Sequence, residues 1–456
     1  MEDMREDKMM MEILLPRPVE GLFEKLERAG YCAVVVGGCV RDSLMEKTPH
    51  DWDMATSATP EEMKEALSGI RLLETGIRHG TLTALAEGMQ VEITTFRKDG
   101  SYGDGRHPDT VTFSRRLEDD LARRDFTVNA MAYSAKTGVV DLFGGQEDLK
   151  NQVLRCVGEP EKRFCEDALR IARAMRFSAV LGFSIEAKTA RAMVSLRERL
   201  SLVAVERIWQ EWRKLLCGPR AAAVLREFAP IACQIIPELK ACMSCNQHNP
   251  HHFGNVWEHT LTALENSKAE LPVRLAVLLH DIGKPGCFSL DENGIGHFYG
   301  HAAESSRMAD EICRRLRMDN AIRTRAATLI RYHDGPIIGN EKLLRRRLRQ
   351  LGEEAFFQLL EVQKADTMGL AEPYRSERLP LLEETQQKAH KILEEGACFS
   401  MKQLAVSGRE LLAAGIEPGP EIGRLLRRML EAVSEGEIDN NLEDLLNFAQ
   451  QIRKKE

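Results

Sequence analysis

Two glycines, an arginine and two aspartates lie close together in the first part of this chain. Gly37 and Gly38 follow the apolar run AVVV, Arg41 lies in the helical piece after them, and Asp51 and Asp53 close the stretch. A phosphate can approach the backbone N–H groups of glycine closely because no Cβ atom is in the way. The helix that the glycines open adds the positive end of its dipole, and Arg41 adds a fixed positive charge. The stretch therefore predicts a phosphate-binding turn.

The two aspartates predict a metal site beside that turn. Asp51 and Asp53 are two positions apart, so on a strand both carboxylates point to one face. Paired carboxylates beside a phosphate suit Mg²⁺ that holds a nucleoside triphosphate. Glu92, in the β-type run 90–96, is expected to add a third catalytic carboxylate; the alternative is an ordinary solvated strand position. The predicted chemistry is nucleotide transfer with Mg²⁺ as the cofactor.

The segment LARRDFTVNAMAY adds a cluster of charges. Arg123, Arg124 and Asp125 precede an apolar run that we interpret as a helix. Two arginines at a helix N-terminus oppose the dipole, so their presence suggests an anion nearby, although a solvated charged face is the alternative. The preceding segment 101–108, SYGDGRHP, is rich in glycine and predicts a mobile loop.

A second group of charged residues lies in RFCEDALRIARAMRF. Glu166, Asp167 and Arg170 are spaced to meet on one helix face, and Arg173 and Arg176 extend the basic stripe. One interpretation is a surface ion pair worth a few tenths of a kcal/mol. The other is base recognition, because a carboxylate accepts from an exocyclic amine and an arginine donates to a ring nitrogen or carbonyl. Such a pair accepts cytosine and adenine and rejects uracil and guanine.

Residues 245–370 contain a separate set of possible metal ligands, of the imidazole and carboxylate types that suit a first-row divalent metal. Its members are His259, the adjacent pair His280 and Asp281, Asp366, and two candidates for a second metal position, His301 and His333. Single histidines on helices are more often core residues. The adjacent His-Asp pair after an apolar helix favours a metal site.

The whole chain sets limits on these hypotheses. Its 456 residues are enough for roughly three domains at about 150 residues each. The net charge of −7 argues against general coating of nucleic acid, and the 11 scattered cysteines are typical of reduced, cytosolic thiols. The chain shows neither a signal-peptide pattern nor a run near the ~18 apolar residues of a membrane span. We therefore expect a soluble, cytoplasmic protein with no membrane partner.

Periodicity predicts the elements that position these residues. A helix is expected over 21–29, and a second begins at Pro60 with Thr59 as its N-cap and ends near Leu67. Three β-type runs follow, at 71–74, 81–86 and 90–96, and from Lys150 onward the pattern is almost wholly helical. This order predicts a small α+β unit followed by a helical remainder.

Five motifs in this order resemble the bacterial-type, class II family of tRNA nucleotidyltransferases and poly(A) polymerases, which includes the CCA-adding enzymes. They are GGCVRD with DWD, RRDFTVNAMA, DLFGG, EDALR-x-x-RAMRF and VERIWQE, and they cover roughly residues 30–220. The resemblance implies an α+β fold: a small polymerase-β-like nucleotidyltransferase head with a mixed sheet plus helices, and a largely all-α body. It implies tRNA as the partner, CTP and ATP as substrates, and pyrophosphate as the leaving group.

The resemblance also implies roles for individual residues. Asp51 and Asp53 become the Mg²⁺ ligands, and Gly37, Gly38 and Arg41 lie near the triphosphate. Asp167 and Arg170 become the amino-acid template that pairs with the incoming base, and Glu166 orients that arginine. The other residues assigned to nucleotide binding are Arg123, Asp125, Asn129, Arg173 and Arg176. The loop near Arg106 is expected to assist the switch from C to A.

The histidine set resembles the HD superfamily of metal-dependent phosphohydrolases. That resemblance implies His259, His280, Asp281 and Asp366 as the core ligands, with a divalent transition metal. Hydrolysis of 2′,3′-cyclic or terminal phosphates is the implied activity, and a binding-only role on tRNA is the alternative.

Together these inferences predict four domains and a transferase. They are a catalytic head (1–149), a helical neck with the base-recognition helix and RNA-binding body (150–240), an HD helical domain (241–370) and a helical tRNA-binding tail (371–456). The predicted function is template-independent addition and repair of the tRNA 3′-terminal CCA. Alternatives are a CC-adding, A-adding or poly(A)-adding relative, or an HD phosphohydrolase with an RNA-binding head. The oligomeric state stays open.

Overall fold

A computed structural model describes residues 12–100, 111–249, 254–394, 399 and 401–455 of the chain. The chain divides into two compact units. The first consists of Met1–Arg220 with Glu227–Ile235, and the second of Ala221–Arg226 with Ile236–Glu456.

The first unit is built on a seven-stranded mixed sheet of order β3-β4-β5-β2-β1-β8-β9, in which β2 and β5 pair in parallel and the other neighbours are antiparallel. A further pair, β6 with β7, stands apart from it. The strands are β1 (Ala33–Val36), β2 (Trp52–Thr56), β3 (Arg71–Gly76), β4 (Thr81–Ala86), β5 (Met89–Thr95), β6 (Arg97–Asp99), β7 (Val111–Phe113), β8 (Met131–Ser134) and β9 (Gly138–Asp141). This mixed sheet confirms the predicted head, and the three predicted β-type runs are β3, β4 and β5.

Both faces of the central strands are covered. Val35 and Met54 pack into the larger apolar core on one face, while Val34 and Ala55 pack into a smaller core on the other. All four residues of β1 are buried for this reason. Since side chains alternate along a strand, Asp53 shares the face of Ala55. The sequence thus directs the acidic residues to the face with the smaller core.

Five helices accompany the sheet: α1 (Arg17–Arg28), α2 (Gly38–Leu44), α3 (Pro60–Ala66), α4 (Leu117–Ala122) and α5 (Gly145–Lys150). The predicted start of α3 is confirmed. The Thr59 hydroxyl accepts from the Glu62 N–H while the Glu62 carboxylate accepts from the Thr59 N–H, which satisfies two donors that the helix leaves free.

The predicted helix after Arg123 is wrong. Arg123 caps the C-terminal end of α4, and the apolar run that follows forms a short 3₁₀ turn at Thr127–Asn129 and then strand β8. Arg123 and Arg124 therefore lie at the negative end of a helix, where positive charge is favourable. The predicted conflict with the dipole does not arise, and tertiary pairing in the sheet decides the conformation of the apolar run.

The middle of the chain is helical apart from one short parallel strand pair, β10 (Val153–Leu154) with β11 (Ser184–Ile185). Its helices are α6 (Pro160–Glu166), α7 (Leu169–Leu181), α8 (Ala187–Ser195), α9 (Val205–Leu216), α10 (Ala221–Glu227) and α11 (Ala229–Ile235). The single helix face predicted for residues 166–170 is wrong, because the chain leaves helical geometry at Asp167 (φ −143°, ψ 105°) between α6 and α7. The break places Asp167 outside the helical periodicity, although Glu166 and Arg170 still form a hydrogen bond.

The remainder is almost wholly helical, as predicted, with one two-stranded hairpin of β12 (Ser289–Leu290) and β13 (Gly296–His297). Its helices are α12 (Leu239–Ser244), α13 (Val256–Glu265), α14 (Leu271–Leu279), α15 (His301–Arg315), α16 (Asn320–Tyr332), α17 (Glu341–Leu351), α18 (Glu353–Met368), α19 (Tyr374–Glu394), α20 (Gly408–Ala413), α21 (Pro420–Glu435) and α22 (Leu442–Lys455). The last three helices share an apolar core of their own. Within the described ranges, no helix is long and apolar enough to cross a membrane.

Candidate active sites

The acidic face of the sheet brings Asp53 and Glu92 side by side. They are direct partners in the parallel ladder of β2 and β5, and neighbouring strands lie about 4.8 Å apart. Asp51 immediately precedes β2, two positions before Asp53. The three carboxylates predicted to be catalytic therefore lie at two adjacent central strands of one sheet, and Asp51, Asp53 and Glu92 all keep exposed surface.

The charges of these carboxylates affect one another. The pKa of Asp53 is raised, first by its partial withdrawal from water and then by the negative charge of Glu92, while Arg124 acts in the opposite direction. The oxygens of the three residues do not all lie within 4.8 Å of one another. A divalent cation such as Mg²⁺ prefers hard oxygen donors and would offset the repulsion between these negative charges. Asp51 and Asp53 are the pair suited to bind it.

The glycine turn lies beside this face and is shaped by an arginine. Gly37 has φ +78°, and a Cβ atom there would lie 2.9 Å from Arg124 Nη1. The Gly37 N–H donates to the carbonyl of Met131 (3.2 Å), and its part in phosphate binding stays a prediction. Gly38, the first residue of α2, has no intrahelical acceptor for its N–H. Of the two glycines, Gly38 is the one that offers its N–H.

A chain of hydrogen bonds joins this turn to the basic helix α7. Arg41 Nη1 donates to Asn129 Oδ1 (2.6 Å), and Asn129 Nδ2 donates to Asp125 Oδ1 (3.3 Å). The other oxygen of Asp125 accepts from Arg173 Nε (2.8 Å). Asp125 and Asn129 are thus buried connectors between Arg41 and Arg173, and the network fixes both guanidinium groups.

Asp125 stays ionised in this network. Burial alone would raise its pKa, but the charge of Arg173 and the hydrogen bond from it lower the pKa to about 2, with help from Arg170 and Asn129. A buried carboxylate with a paired guanidinium is stable only while both charges are present. Asp125 therefore acts as a rigid anchor for Arg173.

A cavity of about 280 Å³ lies above this network. Seven of its eight lining residues are charged: five arginines and two aspartates, together with Leu169; the eight are Arg123, Arg124, Asp125, Asp167, Leu169, Arg170, Arg173 and Arg207. Such an excess of positive charge suits an anion with a polar edge, as a nucleotide is. The cavity therefore brings together half of the residues predicted to bind a nucleotide, namely Arg123, Asp125, Asp167, Arg170 and Arg173.

Arg170 is held firmly at the edge of this cavity. Its Nη1 atom donates to Glu166 Oε2 (2.8 Å) and to the Arg163 carbonyl (3.0 Å), and Nη2 donates to the Arg123 carbonyl (2.9 Å). Three acceptors on one side leave the plane of the guanidinium fixed. The predicted relation between Glu166 and Arg170 is present in the structure, across the break between α6 and α7.

Asp167 is positioned by a different arginine. Its Oδ1 atom accepts from the Leu169 N–H (3.0 Å), and Oδ2 accepts from Arg207 Nη2 (3.0 Å). Arg207 comes from α9, and its Nη1 atom is buried without a hydrogen-bond partner. An orphaned donor beside an aspartate and a fixed arginine is a place for a polar ligand atom.

Arg176 does not line the cavity. Its Nε atom donates to Glu211 Oε2 (2.5 Å), and its guanidinium carbon lies 3.6 Å from the centre of the Phe177 ring. The role of Arg176 in nucleotide binding stays a prediction. Its side chain contacts Glu211 and Phe177. The loop near Arg106 lies outside the described residues.

Two residues of this site, Asp120 and Arg207, had no assigned role in the sequence analysis, and a third, Arg124, was linked only to a nearby anion. Asp120 is fully buried and its oxygens accept from Arg123 (2.6 Å) and Arg124 (3.1 Å), so it aligns both arginines toward the cavity. Arg124 and Arg207 line the cavity itself. The spacing of Asp120 from the two arginines is a visible helical signal. Nothing local points to Arg207, whose partner lies 40 positions away.

The second unit brings the predicted HD residues together. Ligand atoms of His259, His280, Asp281 and Asp366 all lie within 4.8 Å of one another, and so do those of Asp281, His301 and His333. Asp281 belongs to both groups: Oδ2 lies 3.1 Å from His280 Nε2, and Oδ1 lies 3.4 Å from His301 Nε2. The geometry is that of two adjacent cation positions with one carboxylate between them.

All four imidazole rings direct their Nε2 atom toward this centre. Each Nδ1 lies within 3.1 Å of a backbone carbonyl, and each Nε2 faces inward; the carbonyl partners are Gly369 for His259, Val277 for His280, Phe298 for His301 and Ile330 for His333. The carbonyls favour the tautomer with the proton on Nδ1, which leaves Nε2 as a metal ligand. The Nε2 atoms approach each other to 3.4 Å (His259 with His280) and 3.2 Å (His301 with His333).

The carboxylates of Asp281 and Asp366 give this centre negative charge that has to be balanced by positive charge. Lys284 Nζ forms an ion pair with Oδ2 of buried Asp281 (2.7 Å), while Oδ1 has no hydrogen-bond partner among the described residues. Burial alone would raise the pKa of Asp281 and of Asp366, yet neighbouring positive groups hold both well below the ordinary value. Burial lowers the pKa of His280, but Asp281 and Asp366 raise it to about 10. Either a proton or a metal ion has to supply the missing charge, and the convergent Nε2 atoms suit a metal.

Three family models match separate parts of the chain. The Poly A polymerase head domain matches residues 33–155, the RNA and SrmB-binding site of polymerase A matches residues 182–243, and tRNA nucleotidyltransferase domain 2 matches residues 297–449. These ranges follow one another in the order that the motifs predict.

Characterised relatives resemble the chain over nearly its whole length. The CCA-adding enzyme of Lactobacillus delbrueckii subsp. bulgaricus is 36% identical over 427 residues, which is 94% of this chain and 96% of the relative. The Bacillus stearothermophilus CCA-adding enzyme, solved in complex with CTP, has a TM-score of 0.69 at 29% identity, covering 97% of this chain and 99% of that one. The Thermotoga maritima CCA-adding enzyme complexed with tRNA shares the fold, with a TM-score of 0.59 at 19% identity and 97% of each chain covered.

Proposed function

The chain belongs to the CCA-adding enzymes, a family of tRNA nucleotidyltransferases, and we propose that it adds and repairs the 3′-terminal CCA of tRNA from CTP and ATP. The transfer needs no nucleic-acid template and releases pyrophosphate. The observation that carries this proposal is the charged cavity in which Asp167 and the fixed guanidinium of Arg170 stand together, in the same unit as the acidic face of the sheet. The relatives named above match nearly the whole length of the chain.

Selection of the base is assigned to Asp167 and Arg170. A cytosine or adenine offers an amine to the Asp167 carboxylate beside an acceptor for the Arg170 guanidinium, whereas uracil and guanine offer the reverse pattern. Glu166 and two carbonyls hold Arg170 in plane, and Arg207 holds Asp167. Because both partners are fixed before the nucleotide arrives, little conformational freedom is lost on binding.

Binding of the triphosphate is assigned to the glycine turn and the arginines around it. The Gly38 N–H and the Arg41 guanidinium lie at the turn, and Arg123 and Arg124 line the cavity with their positive charges aligned by Asp120. Arginine forks match phosphate oxygens in geometry as well as in charge.

The acidic face is assigned to the chemical step. The tRNA 3′-hydroxyl oxygen bonds to the α-phosphorus in line with the departing pyrophosphate, and Glu92, exposed on the same face, accepts the hydroxyl proton. Asp51 and Asp53 are the residues that hold Mg²⁺, which neutralises charge on the phosphates when bound. Their oxygen donors and the raised pKa of Asp53 support that fit.

A sibling activity is the nearest alternative. An enzyme adding only CC, only A or a poly(A) tail uses the same head motifs, but the relatives named above are CCA-adding enzymes. The test is incubation with Mg²⁺ and a tRNA that lacks its last three nucleotides, supplied with one labelled nucleotide at a time. CTP alone should add two residues, and ATP should add one residue only after both cytidines are present. A long A tail, or A added without C, would favour a sibling.

A second function is proposed for the HD centre, which we infer binds two divalent transition-metal ions and hydrolyses phosphate esters. The observation that favours it is the convergence of four Nε2 atoms and two carboxylates, buried Asp281 and half-buried Asp366, with Asp281 positioned to share its oxygens between the two ions. A bound metal would supply an activated water and polarise the phosphate. Lys284 Nζ lies 2.7 Å from Asp281 Oδ2 and can stabilise negative charge at the same place.

The metal content of the purified protein tests this second function independently of transfer. His280→Ala should lose bound Mn²⁺ or Ni²⁺ and any hydrolysis of 2′,3′-cyclic nucleotides, while addition of CCA continues. Wild-type protein that binds neither metal would leave only a binding role on tRNA. The division into four domains at residues 149, 240 and 370 stays a prediction beside these functions.

A further inference from the structure

The cavity at the HD centre contains an arginine that the metal ligands do not account for. Arg378, on α19, lines this cavity of about 420 Å³ together with Asp281, His301 and His333. Its Nη2 atom donates weakly to Gln363 Oε1 (3.3 Å), and its Nε atom is buried without a hydrogen-bond partner. Among the described residues, no carboxylate forms an ion pair with it. A cation held at a cavity without an anionic partner is a binding group for an anion.

A buried amide side chain, that of Gln363, holds Arg378 in its position. Gln363 is 1% exposed, and its Nε2 atom donates to the carbonyls of His333 (2.8 Å) and Gly335 (2.9 Å). Those two hydrogen bonds fix the amide so that its oxygen faces Arg378. The arginine is thus tied, through one buried side chain, to the segment that carries the metal-type ligand His333. An anion bound by Arg378 would lie beside the proposed metal positions.

The mouth of the same cavity has an exposed aromatic surface. Tyr299 is 79% exposed, and its ring lies parallel to that of His297, with 5.3 Å between centroids and 9° between planes. Both residues line the cavity. Asp291 Oδ2 holds His297 through Nε2 at 3.0 Å, so the hairpin of β12 and β13 fixes the stack. The outer face of an exposed tyrosine is a surface on which a nucleobase stacks, worth about 1–3 kcal/mol.

We propose that this cavity binds a nucleoside phosphate, with the phosphate ester at Arg378 beside the metal ligands and the base on Tyr299. The volume of about 420 Å³ lies in the range of about 300–1,000 Å³ usual for small-ligand sites. The inference rests on the phosphohydrolase function proposed above and adds the two residues that bind its substrate, Arg378 for the phosphate ester and Tyr299 for the base. The same chemistry is offered by a free nucleotide and by an RNA 3′ end.

Equilibrium binding of uridine 2′-monophosphate and of uridine to Mn²⁺-loaded full-length protein tests the proposal. Uridine is chosen because the head is expected to reject it. Arg378→Met should weaken the monophosphate about tenfold and leave uridine unchanged, since it removes only the phosphate contact. Tyr299→Ala should weaken both ligands about tenfold, since it removes only the stacking surface. A short oligouridylate with a terminal phosphate then separates the two sources, because tighter binding than the mononucleotide assigns the cavity to an RNA end.

Matched controls come from the same two elements. Arg375→Met removes a partly exposed arginine of α19 that pairs with Glu372 (2.6 Å), and Leu290→Ala removes an exposed side chain of the hairpin; neither residue lines the cavity. Both should bind as wild type does. The proposal is overturned if Arg378→Met keeps its metal and binds the monophosphate normally, or if inorganic phosphate binds as tightly as the nucleotide. Wild-type protein that holds no metal but binds the nucleotide through Arg378 would refute hydrolysis and leave this inference standing.

Discussion

Arg124 Nη1 lies 2.9 Å from the point that a Cβ atom would occupy on Gly37, which has φ +78°. A glycine is therefore required at position 37, because the Arg124 side chain lies too close for a Cβ atom. Arg124 in turn is held by Asp120 and lowers the pKa of Asp53 through its charge. This one arginine connects the turn, the cavity and the acidic face.

Gly37→Ala tests that connection. The alanine adopts a positive φ at a cost of about 1–2 kcal/mol and also displaces Arg124. We expect kcat/KM for CTP incorporation to fall at least about tenfold, because an electrostatic contact to the triphosphate is lost. Gly30→Ala is the control, since Gly30 has φ +87° with no atom within 4 Å of the added Cβ. Equal loss of activity in both variants would mean that backbone strain alone is responsible.

Asp167→Ala should loosen the choice of base. We expect the ratio of kcat/KM for CTP over UTP to fall by about tenfold or more, because a paired base contact is worth about 1–3 kcal/mol of discrimination. Arg207→Met should act in the same direction with a smaller effect, since the Asp167 carboxylate stays present and keeps only its hydrogen bond from the Leu169 N–H. Arg191→Met, an exposed arginine of α8, is the control. An unchanged ratio in Asp167→Ala would refute the assignment of Asp167 to base selection.

Asp125→Asn should remove a defined part of the pH dependence of the stability of the first unit. Because the pKa of Asp125 falls from 3.8 to about 2 in the folded protein, its ionised form stabilises the fold above about pH 4, and this contribution is lost as pH falls toward 2. The lowering corresponds to about 2 kcal/mol. Urea unfolding at a series of pH values should show a gap between wild type and variant that is full near pH 6 and shrinks in acid. Glu87→Gln, in the exposed turn between β4 and β5, should show no such gap; a gap that is independent of pH would contradict the assignment.

Gly369→Ala should disturb the HD centre without touching a metal ligand. The added Cβ would lie 2.4 Å from His259 Nδ1, so the ring has to move and lose its carbonyl contact. Loss of such a supporting contact weakens metal binding about 10- to 100-fold, which metal titration of the purified protein measures. Gly286→Ala, where no atom lies within 4 Å of the new Cβ, is the control. Unchanged affinity for Mn²⁺ in Gly369→Ala would mean that His259 is not a ligand.

Local signals in the sequence are sufficient to predict many of the helices and strands and many of the site residues. Thr59 with Pro60 predicts the start of α3, and the β-type runs predict β3, β4 and β5, because caps and alternation act over a few residues. The spacing of Asp51 and Asp53 likewise predicts a common face, since strand geometry alone requires it.

Contacts between distant segments could not be predicted in this way. The break at Asp167 is stabilised by Arg207, 40 positions away, and helical spacing gives no sign of it. Strand β8 forms where an apolar run looks helical, because β1 and β9 offer it pairing on both edges. Arg378 lies in a segment predicted only to grip tRNA, and its place at the HD cavity follows from the packing of α19 on α18.

The order of nucleotides added to a tRNA tests the central claim most directly. A tRNA that ends before its last three positions is incubated with the protein, Mg²⁺ and equal concentrations of all four nucleoside triphosphates, and the 3′ ends of the products are sequenced. The claim that Asp167 and Arg170 select bases in the first unit predicts ends that read CCA and stop there. Ends that contain U or G, that stop at C or that continue into an A tail would contradict it.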